Sequence, residues 1–295
     1  MNLVAVASAE ADIPRKSFLA LAWRRFLRHR LATLGALIVV GLVLMAVLAP
    51  WLAPHDPNRV DIMNAREGPS REHILGCDVV GRDVLSRLIY GTRVSLSVGL
   101  VAVAIGVLIG TLLGCIAGYF GGWPDMLISR LIDAVLSFPP LMLILVIVGL
   151  LGPRLFNIML VLGLLGWPQV ARIVRGQILA IREEQYVLSS RAVGAGSKRI
   201  ILTDVLPNIM SPIIVDATFG VARAILIEAG LSFLGMGVQP PTASWGNMLN
   251  DAQSLSILES MFWMWVPPGL MIFLATISIN FVGDGLRDAL DPKLN

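Results

Sequence analysis

Polar and apolar positions along this chain do not alternate; they segregate into long apolar runs separated by shorter polar stretches. Six runs can be placed, at Leu31–Ala53, Val94–Phe120, about Leu131–Leu151, Leu155–Ala171, Ile209–Leu231 and Phe262–Val282, and the first two hold no charged residue. A helix rises about 1.5 Å per residue, so roughly 20 residues cross about 30 Å of bilayer hydrocarbon. Lipid offers backbone groups no partner, and runs this long without a two-residue period fit helices rather than barrel strands. The pattern predicts an all-α membrane protein with six transmembrane helices. It divides the chain into an N-terminal segment (1–30), a first helix (31–53), a long loop (54–93) and a membrane core (94–295) that contains a connecting loop at 172–208.

Composition agrees, since 56% of residues are hydrophobic and 15% charged, which cannot build a soluble globular surface. Charge adds orientation. Arg15, Lys16, Arg24, Arg25, Arg28 and Arg30 crowd the segment before the first run, which predicts a cytoplasmic N-terminus. Six spans then put Arg172–Asp204 on the same side, with Arg172, Arg175, Arg182, Arg191, Lys198 and Arg199, and the tail after Val282 with it. A connection near Gly152 and the segment Gly235–Met261, which has no Lys or Arg, fall opposite. The loop Pro54–Arg93 fits this rule less well, because Arg59, Arg66, Arg71, Arg82, Arg87 and Arg93 are interleaved with acids there. The first run is longer than a secretory h-region and reads as an uncleaved anchor.

The rarer side chains carry little chemistry. Cys77 falls in the outer loop and Cys115 in mid-membrane, so a disulfide between them is not expected. His29, His55 and His73 show no ligand spacing, and an ordinary surface role is the expectation for each.

Four features bear on function. Ala102, Gly106, Gly110, Gly114 and Gly118 recur every four residues and make a strip of small side chains, for close packing within the chain or at a subunit interface. Pro139 and Pro140, Pro168, Pro212, and Pro267 and Pro268 sit in or near spans, as ordinary kinks or as breaks lining a cavity. Asp216, Arg223 and Glu228 lie in the fifth span, where a charge facing lipid is costly. Asp216 and Arg223 share a face about 10 Å apart along the axis, too far for an easy pair. This face lines an aqueous path or meets a partner subunit, or else Asp216 and Glu228 reach the two interfaces.

The fourth feature is the connecting loop, where Val187, Ala192 and Ala195 are compatible with one face of a short helix and Gly194 and Gly196 supply its stop. Such a helix outside the membrane needs a place for its apolar residues, and a cytosolic partner is the candidate. No Gly-x4-Gly-Lys-Ser/Thr phosphate loop occurs, so the chain has no recognisable ATP site. Neither a paired His and Glu nor a Gly-x-Ser-x-Gly elbow suggests an enzyme.

Four stretches carry a resemblance: HILGCDVVGRDVLSRLIYGTRVSL (His73 to Leu96), GYFGGWPD (Gly118 to Asp125), EAGLSFLGMGVQPPTASWGNML (Glu228 to Leu249) and GDGLRDALDPKL (Gly283 to Leu294). From about Arg15 onward the chain resembles the dipeptide, oligopeptide and nickel class of binding-protein-dependent ABC transporter permeases, in its C-type subunit. The resemblance implies a type I importer bundle with both termini cytoplasmic. It implies that Leu188, Ser189, Ser190, Arg191, Gly194, Ala195, Leu206 and Pro207 belong to a coupling loop that docks on an ATPase. Leu188-Ser189-Ser190 stands where the family often has Glu-Ala-Ala, Asp204 where it often has histidine, and Cys77 where it often has threonine. The implied assembly holds a homologous second permease, two ABC ATPase subunits carrying ATP and magnesium, and a periplasmic or lipid-anchored solute-binding protein, in contact with membrane lipid and without nucleic acid. Small peptides are the leading solute, with nickel or glutathione as alternatives; a secondary transporter working without an ATPase is the rival mechanism.

Overall fold

The computed structural model describes residues 18–290. Arg15 and Lys16, and the end of the GDGLRDALDPKL stretch, lie outside the described residues. In chain order the helices are α1 (Phe18–Arg28), α2 (Arg30–Val47), α3 (Ala49–Leu52), α4 (Val84–Phe120), α5 (Gly122–Leu136), α6 (Pro140–Leu151), α7 (Leu155–Ile181), α8 (Gln185–Ala192), α9 (Ser197–Ile200), α10 (Leu206–Phe233), α11 (Trp245–Asn250), α12 (Leu255–Ser260) and α13 (Phe262–Leu290). A π-helical turn at Ile201–Val205 joins α9 to α10. Among the described residues there is no strand, only one isolated antiparallel bridge between Cys77 and Asp83.

Five helices are long and apolar enough to cross a membrane, and α5 with α6 makes a sixth where the bent pair is counted as one span. Large apolar side chains cover their outer faces, with Leu37 72%, Leu108 73% and Leu150 83% exposed. In water such a surface would be unstable; against hydrocarbon it is the ordinary one.

Several expected boundaries move, each for a local reason. The first run is cut at Leu48, because Pro50 lacks the N–H that would continue α2 and instead sits in the first turn of α3. The second span begins at Val84 rather than Val94, capped by the Asp83 carboxylate, which accepts from the Ser86 N–H. The expected single span Leu131–Leu151 is two helices bent by 87°, broken at Pro139 and Pro140. Pro168, Pro212, Pro267 and Pro268 lie inside helices that continue through them. α7 runs on to Ile181, past Arg172 and Arg175, and α13 runs on to Leu290.

The small-residue strip settles against α7 of the same chain. A Cβ on Gly110 would lie 2.6 Å from the Val170 Cβ, on Gly114 2.7 Å from the Val174 Cβ, and on Gly118 2.8 Å from the Ile178 Cβ, while one on Gly106 would face the Gly163 carbonyl at 3.4 Å. α7 answers with Gly163, whose Cβ would fall 2.6 Å from the Ile105 Cβ. Residue numbers rise together on both helices, so α4 and α7 run parallel, and their backbones meet along most of the strip. α10 packs antiparallel on α4 through Gly99, which faces Val221 and Ile225. α2 packs antiparallel on α13 where Gly35 faces Ser278.

Candidate functional site

Two places combine accessible surface with unusual side chains, one inside the bundle and one at its end. The inner one is a cavity of about 210 Å³ between α4, α6, α7 and α10, lined by Ala102, Gly106, Ile144, Gln169, Asp216 and Arg223 among others. Arg223 Nη2 lies 3.1 Å from Asp216 Oδ1, and Gln169 Nε2 donates to the same oxygen at 3.1 Å. The expectation that Asp216 and Arg223 stand too far apart to pair is therefore corrected. Helical side chains tilt toward the N-terminus, so the long Arg223 side chain reaches back over its own helix to Asp216. The pair gives an apolar cavity one cationic and one anionic group, half of it open, since the Arg223 side chain is 48% exposed.

Glu228 does not join that cavity. It is fully buried and accepts from Ser232 Oγ at 2.7 Å, Ser244 Oγ at 2.9 Å and Ser95 Oγ at 3.3 Å. The serine oxygens in turn accept backbone N–H groups: Ser232 from Val238, Ser244 from Asn247, Ser95 from Trp245. The node joins α4, α10 and the capping box at the start of α11. Asp216 and Arg223 line the cavity; Glu228, on the same helix, ties the bundle together. Ser95, Ser232 and Ser244 lie within the stretches that carry the resemblance, but nothing in their spacing shows that they meet at Glu228, and Gln169 lies in no such stretch.

At the bundle's end, α7 turns at Arg182 into α8. Val187 is fully buried in a cluster with Ile178, Ile200 and Val205, while Tyr186, Leu188 and Val193 are exposed, Val193 at 89%. The expected apolar face of Val187, Ala192 and Ala195 is thus divided: Val187 anchors the helix inward, Ala195 is half-buried, and Ala192 is exposed. Arg191 lies over the Tyr119 ring, 4.9 Å from its centroid. Gly194 ends the helix at φ +85°, a conformation that side chains with a Cβ rarely adopt. Asp204 accepts from Ser190 and Thr203, linking α8 to the turn that leads into α10. Leu206 and Pro207 open α10 directly after the π turn, with the Leu206 N–H still bonded to the Ile201 carbonyl. Burial pushes the Tyr186 phenol above its ordinary range, helped by Glu184 and Asp204.

The loop from Pro54 to Asp83 folds over the opposite end. Arg82 pairs with Asp78 and, at 2.8 Å, with Asp251 beyond α11; the fully buried Arg87 stands 3.8 Å from both acids. Burial pushes the Asp251 carboxyl up, against the pull of Arg82 and Arg87. Two of the arginines that fitted the charge pattern poorly are thus neutralised within the fold. The expectation of an ordinary surface role fails for His73, which is buried with Nδ1 2.9 Å from Asp83 Oδ1. Burial, then Asp83, Glu67 and Asp78, push the Cys77 thiol up to about 12.

Sequence comparison places this geometry among known proteins. The family described as the binding-protein-dependent transport system inner membrane component matches residues 110–295, and the N-terminal TM domain of oligopeptide transport permease C matches residues 17–69. A putative peptide permease of Brucella ovis is 42% identical over 269 residues, covering 91% of this chain and 89% of the relative. A dipeptide transport system permease of Alkalihalophilus pseudofirmus and a glutathione transport system permease of Escherichia coli are each 42% identical over 273 residues, 92% of this chain and 89% of theirs.

Proposed function

Because this chain belongs to the binding-protein-dependent transport system inner membrane components, multi-pass permeases of the bacterial inner membrane, we propose that with a homologous second permease it forms the path for short peptides. A solute-binding protein delivers them, and two ABC ATPase subunits, holding ATP and magnesium, drive the cycle. The relatives are named for peptides, a dipeptide and glutathione, itself a tripeptide, and this common chemistry supports a peptide solute. The Asp216–Arg223 pair supports it too, since a peptide carries one ammonium and one carboxylate to offer in exchange.

The observation that carries the coupling is the build of α8. An inward anchor at Val187 fixes the helix to the bundle, and the outward Tyr186, Leu188 and Val193 remain for a partner. A partner that binds this surface differently in its open and closed states moves the bundle; one that binds both alike does nothing. Arg24, Arg25, Arg28, Arg182, Arg191, Lys198 and Arg199 gather at the α8 end, which we assign to the cytoplasm; the opposite end carries Arg59, Arg66, Arg71 and Arg154 besides the ion-paired Arg82 and Arg87, so the assignment rests on the cluster before the first span.

Labelling tests both parts. With Val193→Cys, an impermeant maleimide should react in inverted vesicles and fail in intact spheroplasts; the opposite pattern would refute the orientation. With Val193→Glu in the reconstituted complex, peptide uptake and ATPase association should fall together while the chain stays folded. Uptake by the chain in liposomes without any ATPase would remove the coupling reading.

A further inference from the structure

The geometry points to a divalent transition-metal site, of the zinc class, formed by His55, His73 and Asp83 where the long loop meets the first turn of α4; we propose it independently of the transport reading. The three residues each bring one ligand atom, all within 4.8 Å of one another. Asp83 Oδ1 stands 2.9 Å from His73 Nδ1 and 3.7 Å from His55 Nδ1. A tetrahedral ion with bonds of about 2.0 to 2.1 Å needs its ligands roughly 3.3 to 3.4 Å apart. The two distances bracket that value, and the two histidine nitrogens lie within 4.8 Å of each other, so side-chain rotation would close the site.

The alternative is a plain His73–Asp83 hydrogen bond, and it leaves His55 unexplained. His55 Nδ1 is buried without any hydrogen-bond partner, although its side chain is 31% exposed and so opens a route for an ion. A cation would engage this nitrogen and sit between His73 Nδ1 and Asp83 Oδ1 in place of the hydrogen bond that joins them.

The ligands are also held from outside, as metal ligands generally are. Asp83 Oδ2 accepts from the Ser86 N–H at 2.7 Å and Ser86 Oγ at 2.6 Å, which turns Oδ1 toward the histidines. The backbones that carry the two rings are fixed as well: Ser86 Oγ accepts the His55 backbone N–H at 3.0 Å, and Ser70 Oγ accepts the His73 backbone N–H at 3.0 Å. The Cys77–Asp83 bridge and the Val84 N–H to Gly76 carbonyl bond clamp the loop beside α4. Imidazole and carboxylate ligands select zinc-like ions over magnesium or calcium, which prefer all-oxygen sites. Bound there, the ion would staple the loop to the helix.

The test uses the full chain, stripped with a chelator and titrated with Zn²⁺, then with Co²⁺ as a spectroscopic probe. One equivalent should bind and raise the thermal midpoint. His55→Gln alters no existing hydrogen bond of that ring, so it should fold with the metal-free midpoint of wild type and lose Zn²⁺ affinity at least tenfold. Ser86→Ala, which removes the hydroxyl that donates to Asp83 Oδ2 and accepts the His55 backbone N–H, should weaken binding roughly 10- to 100-fold. Wild-type affinity in His55→Gln, or no binding by wild type at micromolar Zn²⁺, would overturn the proposal. A Co²⁺ spectrum with a thiolate charge-transfer band would also overturn it, by placing the ion on the neighbouring Glu67, His73 and Cys77 instead.

Discussion

Replacing Glu228 with alanine removes the acceptor for three buried serine hydroxyls at once. Their fates differ. Ser232 and Ser95 sit in helices and can turn to the carbonyl of the preceding turn. Ser244 precedes α11 and has no such carbonyl, so its hydroxyl proton stays buried and unpaired. An unmet buried donor costs about 1 to 3 kcal/mol, and two lost bonds of about 1 kcal/mol each add to it. The total is about 4 kcal/mol, or roughly three decades in the folded-to-unfolded ratio at about 1.4 kcal/mol per decade. Glu228→Gln keeps the shape and one acceptor oxygen and should lose about half as much. Thermal unfolding of the purified chain followed by tryptophan fluorescence is the assay, because Trp245, fully buried, donates its backbone N–H to Ser95 within the same node and its indole N–H to the Leu88 carbonyl beside it. The decisive comparison adds Ser244→Ala: the double variant should be less damaged than the two singles summed, by about 1 to 3 kcal/mol. Strict additivity, or a Glu228→Ala variant that melts with wild type, would refute the reasoning.

The glycines offer matched pairs. Gly114→Ala pushes a methyl against Val174 and should destabilise by about 1 to 3 kcal/mol, whereas Gly41→Ala, with nothing within 4 Å, should be neutral or slightly stabilising; melting curves compare them. Gly194→Val forces a β-branched residue to φ +85° and should lower uptake by the assembled transporter, while Gly196→Ala at φ −68° should leave uptake near wild type. For Cys77, a folded-state pKa of about 12 leaves a thiolate fraction on the order of 10⁻⁴ at pH 8, so a maleimide should react slowly until denaturant is added. The folded chain keeps this proton where the unfolded chain releases it, so the contribution to stability present below the ordinary thiol pKa of about 8.5 is lost as pH rises toward 12. Fast labelling of the native chain at pH 8 would contradict both statements.

The spans were legible because lipid demands long apolar runs, and every run expected from the sequence holds a helix or a broken pair of helices. Their ends were not. Arg87 looked like loop chemistry because its acids, Asp78 and Asp251, lie on either side of it in separate parts of the chain, and only folding brings all three together. Arg172 and Arg175 likewise hid the last turns of α7 until Asp133 and Asp125 were seen beside them. The glycine strip was readable as a packing surface, but its partner was not, since Val170 and Val174 look like any lipid-facing residue. His55 and His73 lacked ligand spacing along the chain, and a loop that returns on itself supplied in space what spacing did not.

One more consequence follows from the glycine seam between α4 and α7. Two rods touching backbone to backbone resist flexing far better than either alone, and the second of them leads directly into the short helix pinned by Val187. A shove delivered there travels the thickness of the bilayer as displacement of a stiff lever, with little lost to bending on the way. α5 and α6 form no such straight rod, since the chain turns through 87° between them at Pro139 and Pro140.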